Sequence, residues 1–196
     1  MAFAVPRLLD DAIVLRPPVL ADADAITREC QDPEIPRFTR IASPYGRDDA
    51  VRFIEEAARA WQDGTSAAFV IADPTTDEVL GSIGLMRIHE DRLVAEIGYW
   101  VAAGVRRSGI ATRAVRLVAH WAALELGNVR IELMTRPENV ASQGVAERAG
   151  FIREGVLRSY VTLGCGCSDI VMFSLVATDL QGGDLEVGDR QARDRQ

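Results

Sequence analysis

One segment constrains the fold more than any other: a strand runs into a short basic loop, and that loop opens a long helix. Leu93–Val101 is an apolar strand in which Glu96 is the only charge. From Ile110 to Leu126, apolar residues recur at helical spacing until Gly127 ends the pattern. The segment therefore predicts that the carboxyl end of a strand lies next to the amino end of a helix.

The rest of the chain alternates between the periods of strands and helices. Further strands are predicted at Ala12–Arg16, Ala67–Ala72, Val79–Ile88, Arg130–Thr135, Phe151–Thr162 and Asp169–Val176. Further helices are predicted at Ala21–Cys30, from Arg47 to Gly64, and at Val140–Ala149, with a proline-rich loop between the first two. This order predicts an α/β (α+β) fold with about seven strands. We expect one domain over residues 8–177 and a disordered, polar tail over residues 181–196.

Composition excludes several functional classes. The net charge of −7 argues against non-specific nucleic-acid binding, which needs clustered lysine and arginine. No stretch approaches the ~20 apolar residues of a membrane span, and Met1–Leu9 lacks the apolar core of a signal peptide. We therefore expect a cytoplasmic protein that binds no membrane. Cys165 and Cys167 form a C-x-C pair without a nearby histidine, so we expect no metal site.

The loop before the long helix has the properties of an anion site. A helix begins with unpaired N–H groups and a partial positive charge, and phosphates bind there readily. Arg106 and Arg107 add full charges, and Gly109 lets the backbone approach an anion closely. These features predict a pyrophosphate site over residues 106–112. The alternative, two solvated arginines before an ordinary helix, carries equal weight on the loop alone.

Several motifs resemble those of one family, and they occur in its order. The loop RRSGIA (Arg106–Ala111) resembles the R/Q-x-x-G-x-G/A signature of the GNAT superfamily of acyltransferases. The AEIGYWV strand before it and the segment Pro137–Phe151 after it resemble the neighbouring GNAT motifs. With Glu154–Arg158 and Ser168–Leu175, the set resembles the Rim-type branch, the ribosomal-protein N-terminal acetyltransferases and their relatives. The resemblance covers roughly residues 8–176.

This resemblance implies a fold and a donor substrate. The GNAT fold has a central twisted mixed sheet flanked by helices, and here Leu93–Val101 and Arg130–Thr135 are the strands that would splay apart. Acetyl-CoA is the usual donor, acting as a co-substrate without a metal. The residues that would bind it are Trp100, Val101 and Ala102 for pantetheine, then Arg106, Arg107, Ser108, Gly109, Ile110, Ala111 and Thr112 for pyrophosphate, and also Asn139 and Ser142.

The resemblance also implies catalytic roles, each with a structural alternative. Glu96 would take a proton from the amine, or would form a salt bridge or orient the substrate. Ser142 would donate to the cofactor sulfur region, or would satisfy local backbone groups. Asn139 is also a plausible helix N-cap. Many GNAT enzymes carry a proton-donating tyrosine where this chain has Ala146, so Ser142 or a water would substitute. An N–H near Val101 would stabilise the oxyanion.

The functional hypothesis is an N-acetyltransferase in which an amine attacks acetyl-CoA directly. The acceptor is left open between a protein N-terminus and a small amine, and the donor could be a longer acyl-CoA such as succinyl-CoA. A non-catalytic coenzyme A-binding module is the alternative; Ala146 favours it and Glu96 argues against it. A Rossmann domain is disfavoured because G-x-G-x-x-G is absent after the first strand. A homodimer is left open.

Overall fold

The computed structural model describes residues 6–89, 93–163 and 166–182. Within these ranges, one eight-stranded mixed sheet has the order β1-β2-β3-β4-β5-β6-β8-β7. Its strands are β1 (Leu8–Leu9), β2 (Val14–Arg16), β3 (Ala67–Ala72), β4 (Val79–His89), β5 (Val94–Val101), β6 (Arg130–Thr135), β7 (Ile152–Leu163) and β8 (Gly166–Val176). The pairing of β5 with β6 is parallel, and the other neighbouring pairs are antiparallel.

Helices cover the two faces of this sheet. They are α1 (Ala23–Glu29), α2 (Glu34–Phe38), α3 (Arg47–Asp63), α4 (Ile110–Leu124) and α5 (Val140–Arg148). Short 3-10 turns occupy Leu20–Asp22, Ala103–Val105 and Ala177–Gly182. None of the helices in the described part of the chain is both long and apolar enough to cross a bilayer.

Two hydrophobic clusters hold the sheet from opposite sides. The larger cluster includes α4 and an aromatic group in which the Phe69 ring packs edge-on against Trp61 and Trp121, with centroid distances of 5.2 and 5.6 Å. The smaller cluster joins α1 and α3 to the other face and includes Trp100. Tyr99 packs on the larger cluster, so successive β5 residues face opposite sides, as in any strand. Glu96 therefore shares a face with Trp100.

The sheet divides between β5 and β6. Their parallel pairing runs from Val94–Arg130 to Ile97–Leu133, although both strands continue beyond that point. Past Ile97, β5 stays paired with β4, and past Leu133, β6 stays paired with β8. The two halves of the sheet therefore separate after Ile97, where the GNAT resemblance implied a splay.

The structure corrects the predicted elements in two places. A short strand, β1, pairs with β2 and brings the strand number to eight. The helix α2 lies inside the segment predicted as a loop. Pro36 is tolerated there because it stands in the first helical turn, where backbone N–H groups have no helical partner.

Two predictions concern residues at the end of the described ranges or outside them. The turn Ala177–Gly182 includes the first two residues of the segment predicted to be a disordered tail. The rest of that segment, residues 183–196, lies outside the described residues, and so does Cys165 of the predicted C-x-C pair.

Candidate functional site

A deep cleft opens where β5 and β6 separate. Its volume is about 1480 Å³, larger than the roughly 300–1,000 Å³ of most small-ligand pockets. One end is lined by the start of α4 and by α5, including Gly109 and Ser142. The other end is lined by α2 and the segment after it, including Phe38 and Arg40. Because the lining includes Glu96 and Tyr99, which face opposite sides of the sheet, a cleft of this size can hold two substrates that approach from opposite faces.

The end of β5 offers backbone groups to this cleft. The Ala102 N–H donates to the Leu80 carbonyl at 2.9 Å, on the β4 side. Backbone groups of successive residues in a strand point to opposite edges, so the groups of Val101 are directed away from β4. In agreement, the Val101 carbonyl accepts a bond from Arg106 Nε at 3.3 Å. Because β6 does not pair with β5 beyond Ile97, the Val101 N–H is placed to bind a ligand.

The loop before α4 turns through two left-handed residues, Arg107 (φ 65°) and Gly109 (φ 89°). Gly109 is the N-cap and supplies no side-chain cap, and the first helical bond runs from the Arg113 N–H to the Gly109 carbonyl at 3.1 Å. The N–H groups of the first turn, residues 110–112, therefore have no helical partner. A Cβ at position 109 would meet no atom within 4 Å, so the approach to these groups is open.

The side chains of this loop are partly engaged already. Arg106 forms an ion pair with Asp32, which follows α1. The Ser108 hydroxyl donates back to the Val105 carbonyl at 2.5 Å. Arg107 is exposed beside the first turn of α4 and lines the cleft. Arg107 and the backbone N–H groups are thus the loop groups most available to an anion.

Two buried hydroxyl groups in the cleft have no hydrogen-bond partner among the described residues. They belong to Thr112, in the first turn of α4, and Thr135, at the end of β6, which are 7% and 5% exposed. Leaving a buried polar group unpaired costs about 1–3 kcal/mol. A polar ligand in the cleft would remove that cost, so the donor set fits a long ligand that carries hydrogen-bonding groups.

A hydroxyl pair links α5 to β5. Asn139 is the N-cap of α5, and its side chain accepts a bond from the Ser142 N–H at 3.1 Å. The Ser142 hydroxyl lies 2.9 Å from the Tyr99 hydroxyl. Burial raises the pKa of Tyr99 to about 12, so its proton is retained at neutral pH. Ala146 is buried in the core. The tyrosine hydroxyl that contacts Ser142 belongs to Tyr99 on β5 and not to a residue at position 146.

Glu96 is a buried carboxylate at the division of the sheet, 8% exposed. Burial raises its pKa, Arg87 and Arg40 oppose the rise, and Glu132 adds to it. Its Oε2 lies 3.3 Å from Arg87 Nη1, but without the geometry of a hydrogen bond. The structure therefore contains the salt bridge of the structural alternative, while Oε2 has no hydrogen-bond donor among the described residues.

Most of the site residues predicted from the sequence line this cleft. The exceptions are Ala102, whose N–H is bonded to β4, and Ser108, whose hydroxyl is bonded within its own loop. Sequence reasoning gave no catalytic role to Tyr99. Its partner is 43 residues away, and no local pattern signals that contact.

Comparisons with known proteins agree with this geometry. Residues 12–152 match the acetyltransferase (GNAT) domain. The chain is 30% identical over 175 residues to the uncharacterized N-acetyltransferase p20 of Bacillus licheniformis, covering 89% of this chain and 98% of that relative. Mycobacterium smegmatis RimJ in complex with CoA-disulfide has a TM-score of 0.79 at 25% identity, over 90% of this chain and 88% of that one.

A second solved structure is similar over most of its length. It is the microcin C7 self immunity acetyltransferase MccE in complex with acetyl-CoA and AMP, with a TM-score of 0.76 and 26% identity, covering 85% of this chain and 93% of that one. The domain match spans more than half of the chain. The chain therefore belongs to the GNAT acetyltransferase family, with Rim-type enzymes among its homologues, and it is an acyl-CoA-dependent N-acyltransferase.

Proposed function

We propose that this chain transfers an acetyl group from acetyl-CoA to a primary amine. The acceptor is either the α-amine of a protein N-terminus or the amine of a small monoamine. The observation that carries the proposal is the continuous cleft between the start of α4 and the buried carboxylate of Glu96. Such a cleft lets a thioester enter from one face of the sheet and an amine from the other. A GNAT relative bound to acetyl-CoA supports acetyl as the transferred group.

Three features support the placement of acetyl-CoA. Its pyrophosphate would bind the open N–H groups of residues 110–112 together with Arg107, where the helix start favours negative charge. Its pantetheine amides would pair with the free edge of β5 at Val101. Its polar groups would also satisfy the hydroxyls of Thr112 and Thr135. Asn139 would hold the start of α5 beside the thioester.

The chemistry follows from the groups at the division of the sheet. Glu96 accepts a proton from the acceptor ammonium, and the neutral nitrogen attacks the thioester carbonyl carbon. Another N–H on the free edge of β5, near Val101, stabilises the developing oxyanion. The carbon–sulfur bond then breaks, and Ser142, whose hydroxyl is held by Tyr99, delivers its proton to the leaving thiolate. As the amide forms, the nitrogen loses its second proton, which passes through water to the Ser142 oxygen and restores the hydroxyl. The products are the N-acetylated acceptor and coenzyme A, and no covalent enzyme intermediate forms.

The charges around Glu96 favour an acceptor with one amine over a polyamine. Arg87 and Arg40 are the cations that act on Glu96, and they would repel a second ammonium group placed beside the first. An α-amine has a pKa near ~8, against ~10.4 for a lysine side chain, so it is easier to deprotonate at neutral pH. These arguments support an N-terminal or other α-amine as the acceptor.

The alternative of a non-catalytic coenzyme A-binding module rests on the missing tyrosine at position 146. The Ser142–Tyr99 pair weakens that argument, because it supplies a proton-bearing hydroxyl from a different element. A cytoplasmic location and a homodimer stay predictions from the sequence.

An acceptor panel tests the proposed activity. We expect thiol release from acetyl-CoA with peptides that carry a free α-amine, weaker release with spermidine, and none with N-terminally blocked peptides. Mass spectrometry of the products would locate the acetyl group, and succinyl-CoA in the same assay would test the longer donor. Binding of coenzyme A without turnover on any amine would favour the non-catalytic module.

The α4 loop can be tested by forcing a β-branched side chain into its left-handed turn. We expect Gly109→Val to weaken acetyl-CoA binding at least about tenfold, because valine at φ 89° strains the loop that presents the N–H groups. Isothermal titration calorimetry measures the Kd. Gly104→Ala is the matched control, since Gly104 lies in the same loop without a positive φ and with open space around its Cβ. Equal affinities for the two variants would contradict the pyrophosphate placement.

Glu96→Gln tests the proton acceptor through the pH dependence of kcat/KM. In the unaltered protein, activity falls as pH drops through the pKa of Glu96, which burial raises above its usual range, because only the deprotonated carboxylate accepts a proton. The variant needs an amine that is already neutral, so its acidic limb moves up towards the acceptor's own pKa near ~8. We expect a loss of about 10²-fold, largest below neutral pH.

The control for this experiment is Glu56→Gln, which alters an exposed carboxylate in the same cleft. We expect its acidic limb to match that of the unaltered protein. An unchanged limb in Glu96→Gln would remove Glu96 as the proton acceptor.

The hydroxyl pair can be tested by a double-mutant cycle. We expect Ser142→Ala to lower kcat by about 10²-fold while the Kd of acetyl-CoA changes little. Tyr99→Phe removes the hydroxyl that orients Ser142, so it lowers kcat as well, and the double variant is no slower than Ser142→Ala alone. Tyr160→Phe, on the exposed side of β7, is the control. Independent, multiplicative losses would show that the two hydroxyls do not act as a unit.

A further inference from the structure

A second carboxylate stands beside Glu96 on the neighbouring strand. Glu96 and Glu132 are register partners in the parallel pairing of β5 with β6. Side chains of such partners lie next to each other on the same face of a sheet. This position is one residue before the pairing ends at Ile97 and Leu133, so the two residues stand side by side where the sheet divides.

Arg130 holds Glu132 in place. Its Nε donates to Glu132 Oε1 at 2.7 Å, and its two terminal nitrogens donate to the two oxygens of Glu154 at 2.8 and 2.6 Å. The Ser174 hydroxyl donates to Glu154 Oε1 at 2.7 Å. The planar guanidinium thus bridges carboxylates of β6 and β7, and its own position is fixed by both. Glu132 is therefore a charge with restricted freedom to move.

We propose that Glu132, held by Arg130, is a positioning residue that acts on acetyl transfer through the neighbouring carboxylate of Glu96. The proposal rests on Glu96 being the proton acceptor. Its geometric basis is the register of two like charges on adjacent strands, one of them 8% exposed and the other anchored by an ion pair.

The effect of Glu132 has a definite sign. A neighbouring negative charge disfavours the ionised form of a carboxyl group and so raises its pKa. Burial is the largest cause of the raised pKa of Glu96, Glu132 adds to it, and Arg87 and Arg40 oppose it. Arg87 reaches Glu96 from β4, and Arg40 acts from the segment after α2. Glu132 thus helps Glu96 to hold the proton that it takes from the acceptor.

Glu132→Gln tests this proposal because it removes the charge and keeps the size of the side chain. We expect the acidic limb of kcat/KM to move to lower pH, because the pKa of Glu96 loses a cause that raises it. The pKa of Glu96, read directly from its carboxyl carbon by NMR, should fall by the same amount. Glu132→Asp keeps the charge, so its acidic limb of kcat/KM should match that of the unaltered protein.

The matched control is Glu138→Gln, which removes another carboxylate paired with an arginine, Arg136, at 2.9 Å. Glu138 follows β6 and is not a register partner of Glu96, so neither the limb nor the Glu96 titration should move. Thermal unfolding of each variant shows that the fold is kept, and Arg130 retains Glu154 as a partner in Glu132→Gln.

The outcomes separate this inference from the proposed function. If Glu96→Gln changes the acidic limb but Glu132→Gln moves neither the limb nor the Glu96 titration, the role of Glu132 is overturned and the proton acceptor stands. If Glu96→Gln leaves the limb unchanged, the proton acceptor is wrong and the role of Glu132 falls with it. A parallel shift of the limb and of the NMR titration in Glu132→Gln supports the proposal.

Discussion

The whole site depends on the early end of one strand pairing. β5 and β6 are hydrogen-bonded only as far as Ile97 and Leu133, because beyond that point each strand stays with its other neighbour. A sheet interior normally satisfies every backbone group, and a break of this kind leaves an edge with free donors and acceptors. Here that edge lines a cleft rather than open solvent. The loss of these β5–β6 hydrogen bonds therefore leaves backbone groups that can bind the amide groups of a substrate.

The alternation of side chains along β5 gives the cleft its two chemically different walls. Tyr99 faces α5 and pairs with Ser142, whereas Glu96 and Trp100 face the side of α1 and α2. The group suited to give a proton and the group suited to take one thus lie on opposite faces of a single strand. The proposed mechanism uses this arrangement, because the leaving thiolate gains a proton and the incoming ammonium group loses one.

Local sequence patterns predicted the parts of the site that local structure forms. The helix start after Gly109 and the N-cap at Asn139 were both readable from short stretches of sequence. Contacts between distant segments could not be predicted in this way, because periodicity carries no information about strand register or about which loops meet. The Arg106–Asp32 ion pair joins residues 74 positions apart, and the register of Glu132 with Glu96 depends on how β6 docks. The helix α2 was missed because its prolines resemble a loop signal and sit where a helix tolerates them.

The tolerance of a buried carboxylate at Glu96 follows from opposing electrostatic effects. Burial disfavours its charge, and an isolated ion in such a place would become neutral. Arg87 and Arg40 stabilise the charged form, and Glu132 limits how far they do so. A stronger cation would lower the pKa of this carboxylate further, and without the two arginines burial would raise it further. The charges on β4, β6 and the segment after α2 therefore act together, and the Arg130–Glu154 clamp links this balance to the strand at the edge of the sheet.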